Sequence, residues 1–205
     1  MADFDRKLNY SQTITYELPA GRGHKYFSSG PLLYVLGGWR ASVILQAVSG
    51  LPFTISTSSA TTGTTQTVNQ IGPYQVTHKV AGGTNPAVAW FNPASFAAPA
   101  TCAPYSSTNP VACALGNTGR NQFRGPAYLS DNLSLFKTFP IFREAAALEA
   151  RFDAFNATNT PAFGLPNTTL GSNLGKITST LGSGVGYVNG VGGPRVLQAA
   201  VKITF

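Results

Sequence analysis

With 205 residues, only 10% of them charged, and with 22 glycines and 14 prolines, the chain lacks the material of a long-helix protein and favours strands and loops. Mean hydropathy is +0.03 and no run approaches the ~18 apolar residues of a spanning helix, which excludes a helical membrane protein but not a barrel, whose strands hide half their residues from a hydropathy window. The net charge of +7 comes from scattered Lys and Arg with no basic run and no recognition helix, so nucleic acid is not an expected partner.

Met1-Ala-Asp-Phe-Asp-Arg-Lys7 has no apolar core of a signal peptide. A mature barrel protein needs one upstream, so the chain is expected to be incomplete. Five segments then alternate with period 2 at the ~9–11 residues of a tilted spanning strand. In Lys7–Leu18, Leu8, Tyr10, Ile14, Tyr16 and Leu18 share a face broken by Gln12. In Trp39–Ile55, Trp39, Ala41, Val43, Leu45 and Ala47 alternate with Arg40, Ser42, Ile44 and Gln46, and Gly50 and Pro52 predict a bulge or strand exit. In Ala127–Phe139, Leu133, Leu135 and Phe139 alternate with Asn132, Ser134 and Thr138, but Asp131 and Lys137 fall on the apolar face. In Ala145–Ala157, Ala146, Leu148, Ala150, Phe152 and Ala154 oppose Glu149, Arg151 and Asp153. The Ala-rich start also fits a helix; a strand is favoured because it gathers all three charges on one side. Arg195–Phe205 places Leu197, Ala199, Val201, Ile203 and Phe205 opposite Gln198, Ala200, Lys202 and Thr204.

This pattern predicts an all-β fold: an antiparallel transmembrane β-barrel fragment, an open curved sheet of about five strands with long extracellular loops. Glu149, Arg151, Asp153 and Lys202 are expected to face the lumen. Tyr16, Trp39, Phe139 and Phe205 are expected at the periplasmic interface, where such barrels carry an aromatic girdle. Residues 140–144 are expected to turn tightly. Residues 56–126 and 158–194 are long and rich in Thr, Gly, Asn and Pro, and would lie outside the cell. Residues 19–38 form an unusually long inner connection, within which 31–36 suggest one turn of helix.

Little in the chain suggests catalysis, and no catalytic residue, cofactor or metal ligand is expected. His24 and His78 lie in different loops without companion ligands. Glu149 and Asp153 could be read as a glycosidase pair, but a lumen-facing ladder of charges suits their strand spacing better. The glycine-rich 182–193 neither follows a buried strand nor opens a helix, so it has no scaffold for phosphate. Asn-x-Ser/Thr triplets at Asn9, Asn132, Asn156 and Asn167 are expected by chance in this composition. Cys102 and Cys113, in a Pro/Ser/Thr-rich stretch, read as a local disulfide closing an outer loop; two free thiols are the alternative.

The ending resembles the C-terminal assembly signal of bacterial outer-membrane proteins, at Gln198, Ala200, Ile203 and Phe205, with Ala200 where glycine is usual. A set of loop motifs points the same way. Tyr16-Glu-Leu-Pro19, Gly37-Gly-Trp39 and Ser49-Gly-Leu-Pro-Phe53 are followed by Trp90-Phe-Asn-Pro-Ala-Ser-Phe96, Gly116-Asn-Thr-Gly-Arg-Asn121 and Arg124-Gly-Pro126. Then come Asp131-Asn-Leu-Ser-Leu-Phe-Lys137, Glu149-Ala-Arg-Phe-Asp-Ala-Phe-Asn156 and Asn159-Thr-Pro-Ala-Phe163. In this order they resemble the C-terminal barrel region of Oar-like TonB-dependent receptors, the type that carries a carboxypeptidase-regulatory-like domain. The resemblance covers nearly all of 1–205. It implies one portion of a barrel domain without plug or N-terminal domain, in the bacterial outer membrane, serving energy-coupled uptake of an unidentified ligand. Implied partners are outer-membrane lipid, the remaining strands and plug of a longer parent, the TonB complex through segments outside this chain, and the barrel assembly machinery. The competing expectation is a secreted all-β carbohydrate-binding or adhesion module, which would need two facing sheets of about seven short strands.

Overall fold

Alternating apolar and polar side chains, many of them β-branched or aromatic, suit a pleated ribbon with one dry face and one wet face. In the computed structural model, which describes residues 1–21, 23–27, 29–58, 65–80, 88–100, 115–141, 146–181 and 193–205, all five alternating segments are strands. The described elements, in chain order, are β1 (Asn9–Glu17), helix α1 (Leu32–Leu36), β2 (Trp39–Val48), β3 (Pro52–Phe53), β4 (Ser56–Ser58), β5 (Thr65–Thr67) and β6 (Asn69–Gln70). They continue with a 3₁₀ turn at Pro93–Ser95, β7 (Phe96–Ala97), β8 (Phe123–Arg124), β9 (Tyr128–Ile141), β10 (Ala146–Phe155) and β11 (Val196–Thr204). Ala146–Phe155 is strand, so the helical alternative for the Ala-rich segment falls. The second strand stops at Val48, seven residues short of its expected end at Ile55, because Pro52 and Phe53 pair instead with Arg124 and Phe123. Gly50 marks the exit: a Cβ there would lie 1.9 Å from the Gly125 carbonyl oxygen. Of the turn expected at 140–144, Pro140 and Ile141 belong to β9, which runs to Ile141 opposite Ala146, and 142–144 lie outside the described residues.

The chain divides into two compact units. One, Leu8–Val48 with Tyr128–Ala162 and Leu181–Phe205, holds the five-stranded antiparallel sheet in the order β1-β2-β9-β10-β11. Its long strands are therefore neighbours in chain order, and β1 and β11 are its edges. Register fixes the faces. Tyr16, Ala41, Leu135, Phe152 and Ala199 form one cross-strand row, and Ile14, Val43, Leu133, Ala154 and Leu197 the next. These two rows carry no charge. Phe152 is 56% and Leu197 72% exposed, so among the described residues this part of the apolar face is open.

The other unit comprises Met1–Lys7, Ser49–Ala127 and Phe163–Thr180. Much of it falls in the expected long loops 56–126 and 158–194, and Ser49–Ile55 in the expected second strand; together these stretches have a core of their own. Phe53, Ile55, Val68, Trp90, Phe91, Phe96, Phe123, Leu174 and Ile177 are buried together, with Tyr74 packed against them. The rings interlock: Tyr74 lies 4.8 Å from Phe123, Phe96 5.3 Å from Phe123, and Phe91 5.5 Å from Phe96, in the tilted and edge-on arrangements that aromatic quadrupoles prefer. Burial pushes the Tyr74 hydroxyl up to about 12. The pairs β3–β8, β4–β5 and β6–β7 supply short ladders around this core. The Asn92 side chain caps the 3₁₀ turn by accepting from the Ala94 amide at 3.1 Å.

Candidate functional surfaces

On the polar face of the sheet, Arg40, Phe136 and Arg151 occupy one row across β2, β9 and β10. Both guanidinium groups lie over the Phe136 ring, at 4.5 Å and 5.0 Å from its centroid, a cation–π sandwich. Arg40 pairs with Glu149 at 3.5 Å, and Arg151 with Asp153 at 2.8 Å. Asp153 is buried and also accepts from the Ser134 hydroxyl at 2.6 Å. Lys202 is the cross-strand partner of Glu149, and Gln198 that of Asp153. Glu149, Arg151, Asp153 and Lys202 thus share one face by register. The sequence pattern placed the three β10 charges together but missed Phe136, whose apolar ring on a polar face breaks the alternation.

Among the described residues the apolar face has three polar interruptions, lying on either side of those two uncharged rows. Gln12 and Asp131 flank Leu45 in one row, beside the end from which the two long connections leave. Gln12 accepts from the Tyr10 hydroxyl at 2.7 Å, and Asp131 accepts from the Thr158 hydroxyl at 2.8 Å and amide at 3.1 Å. Lys137 lies toward the other end, only 4% exposed, and donates to the carbonyls of Val35, at 2.9 Å, and Gly37. The Trp39 and Phe139 rings flank its ammonium at 5.0 and 5.2 Å. Asp131 and Lys137 weigh against a spanning strand in sequence alone; in the fold both are satisfied.

Tyr16, Trp39 and Phe139 sit on the apolar face at the end opposite the two longest connections, and Phe205 follows the last strand residue, 98% exposed. Of the C-terminal residues, Gln198 and Ala200 share the face of Asp153 and Arg151, while Ile203 pairs with Leu148 on the opposite face. Cys102, Cys113 and the glycine-rich 182–192 lie outside the described residues.

In the aromatic-core unit the loop motifs converge. Gly116 passes so close to β5 that a Cβ would lie 2.3 Å from the Thr67 carbonyl oxygen. Asn117 then mimics a strand partner of β6: its Oδ1 accepts from the Gln70 amide at 2.7 Å and its Nδ2 donates to the Gln70 carbonyl at 3.2 Å. Asn121, at φ 57° and buried, ties the segment down. Its amide donates to the Thr54 hydroxyl at 2.8 Å, and its side chain donates to the Met1 carbonyl at 2.8 Å and to Asp3 at 2.6 Å. Arg120 pairs with Asp3 at 2.9 Å, and Arg124 pairs with Asp5 while donating to the Gly50 carbonyl at 3.2 Å. The hydrogen bond from Asn121, then that from Arg120, holds the Asp3 carboxyl below the usual range. His78 packs edge-on against Trp90 at 5.2 Å. No cluster of three or more His, Cys, Asp or Glu able to hold a metal occurs among the described residues.

Among the described residues the five long strands form one open sheet, accompanied by three two-stranded ladders, whereas the β-sandwich alternative calls for two sheets of about seven short strands. No curated protein and no solved structure matches the chain. The family model described as an outer membrane beta barrel domain matches residues 1–198. The chain therefore belongs to the outer membrane β-barrel family, and its place is the bacterial outer membrane.

Proposed function

We propose that the chain forms the C-terminal part of the barrel wall of an Oar-like TonB-dependent receptor, whose task is energy-coupled uptake of a bulky ligand. The observation that carries this reading is the convergence of its ordered motifs. Phe53, Phe91, Phe96, Asn121 and Arg124 come from four motifs spread over more than seventy residues, and they build one packed unit. A set held together by packing is less easily a coincidence of composition. The apolar face then meets lipid. The face bearing Glu149, Arg151, Asp153 and Lys202 lines the lumen, opposite a plug carried elsewhere in the receptor. Gln198, Ala200, Ile203 and Phe205 serve recognition by the barrel assembly machinery. In this reading the TonB complex acts through other segments of the receptor.

Five strands are fewer than the ~8 of the smallest membrane barrels, so further strands complete the wall in this reading. The test is the reading frame upstream of Met1, followed by ligand uptake with and without TonB. An in-frame plug and earlier strands, with TonB-dependent uptake, are the expected results. A frame that encodes no plug would overturn the receptor reading while leaving the chain an outer-membrane barrel protein.

A further inference from the structure

The connection between β1 and β2 is far longer than a turn needs. Adjacent antiparallel strands are commonly joined by about two to five residues; here residues 18–38 intervene and include α1. The contacts of α1 with the sheet go to side chains of one face. Lys137 donates to the Val35 and Gly37 carbonyls, and the Trp39 indole donates to the Val35 carbonyl at 2.8 Å. Register places Lys137 and Trp39 side by side on the apolar face. The C-terminal end of α1 is therefore fastened to the apolar side of the wall, away from the charged row of Arg40 and Arg151.

What this connection presents outward is apolar and aromatic. Leu33 and Leu36 are half-buried, whereas Leu32, Tyr34 and Val35 are exposed, Val35 at 62%. Tyr26 and Phe27, just upstream, are exposed as well. Residues 18–38 contain no acidic residue but include Arg22, His24 and Lys25, and the Lys25 ammonium lies 5.5 Å from the centre of the Tyr26 ring. Exposed Leu and Val beside Tyr, Trp and cations is the composition of a segment lying in a membrane interface.

We propose that residues 24–36 are an interfacial anchor that docks on phospholipid of the leaflet at the end of the barrel opposite its two longest connections. Leu32, Val35 and Tyr34 enter the boundary between acyl chains and headgroups, while Lys25 meets headgroup phosphate. Three observations select lipid as the occupant: continuity with the uncovered apolar face, attachment through two residues of that face, and a purely basic charge that complements anionic headgroups. The inference rests on the apolar face being the lipid-facing one.

The test uses the complete barrel that contains this chain, with Cys102 and Cys113 replaced by Ser and single cysteines carrying an environment-sensitive fluorophore. The labelled sites are Val35, Leu32 as a second anchor site, Phe152 on the apolar face and Thr13 on the polar face. The host membrane is a vesicle of phosphatidylethanolamine and phosphatidylglycerol, with nitroxide lipids labelled near the headgroup or at mid-chain, and folding is checked by heat-modifiable gel mobility. Labels at Val35 and Leu32 should lose more intensity to the shallow nitroxide than to the deep one. The Phe152 label should show the reverse order, and the Thr13 label neither loss. Quenching of Phe152 without quenching of Val35 or Leu32 would overturn the anchor and leave the lipid-facing assignment standing. Deep quenching of Val35 exceeding shallow would also overturn it. Absence of quenching at Phe152 would overturn both readings.

Discussion

Lys137 carries a positive charge on a face of Leu, Ala, Val and Phe, and it stays there because α1 brings two carbonyl oxygens to it. The Trp39 and Phe139 rings complete the cage. Replacing it tests that account. Lys137→Met keeps the hydrocarbon and loses the donor, so the barrel should assemble with 18–38 more readily cleaved by protease. Lys137→Glu sets a carboxylate against carbonyl lone pairs with no donor, and should lose at least about 2 kcal/mol, the order of a charge on a lipid face. Urea unfolding of the assembled barrel measures both, and equal loss would mean that the cage does not retain the lysine. Asp3 makes a second case. Its carboxyl is held below its ordinary value of 3.8 by Asn121 and Arg120, so the contribution of this latch is present above that pH and lost as pH falls through the lowered value. Asp3→Asn should flatten the acid limb of the stability–pH curve, and unchanged acid sensitivity would dissociate the latch from stability. Asn121 adds a backbone reason: at φ 57° an Ala pays for the left-handed conformation, while Gly does not. Asn121→Ala should therefore destabilise by about 1 kcal/mol more than Asn121→Gly in the same assay.

At the level of the element, β1 offers the cleanest comparison of the two faces. Thr13 and Ile14 are adjacent and both exposed, and they point to opposite sides of the sheet. Ile14→Arg should cost about 2–4 kcal/mol of assembly if its row lies at mid-membrane, and Thr13→Arg little. The fraction of heat-modifiable barrel in outer membranes reads the difference, and equal tolerance would mean that the faces are misassigned. Asp153 is a poor control for this purpose, because Ser134 and Arg151 depend on its carboxylate. The five strands were legible in the sequence because period 2 survives a single substitution such as Gln12 in β1. The end of β2 was not, because Pro52 and Phe53 continue the apolar pattern while pairing with Arg124 and Phe123, some seventy residues away. The partners of Lys137 were hidden for the same reason, since Val35 and Gly37 precede it by about a hundred residues. The aromatic core left the weakest trace. Phe53, Phe91, Phe96 and Phe123 are scattered among Gly, Pro and Asn with no period, and only long-range packing makes them one cluster.

For the whole molecule, the decisive feature is that the sheet has edges. β1 and β11 each present nine exposed residues with backbone groups on the outer side that find no strand partner among the described residues. In water such edges invite pairing with other chains. In a bilayer they are worse, because each unsatisfied amide or carbonyl in hydrocarbon costs several kcal/mol and only helices or closed barrels avoid this. A five-stranded sheet with an apolar face and two bare edges therefore suits neither medium by itself. The 205-residue chain, expressed alone with a signal peptide, should yield aggregate or degraded material and no heat-modifiable band in outer-membrane fractions. If the receptor reading holds, supplying further strands of the proposed receptor in the same polypeptide should restore a protease-resistant band that unfolds on boiling. A stable band from the chain alone would show that copies of it close a barrel together, and chemical cross-linking would then count them. Closure by added strands in one chain keeps β11 paired to a different sequence, whereas closure by copies pairs β11 with β1 of a neighbour. A disulfide engineered between an edge residue of β1 and one of β11 separates the two, forming between chains only in the second arrangement.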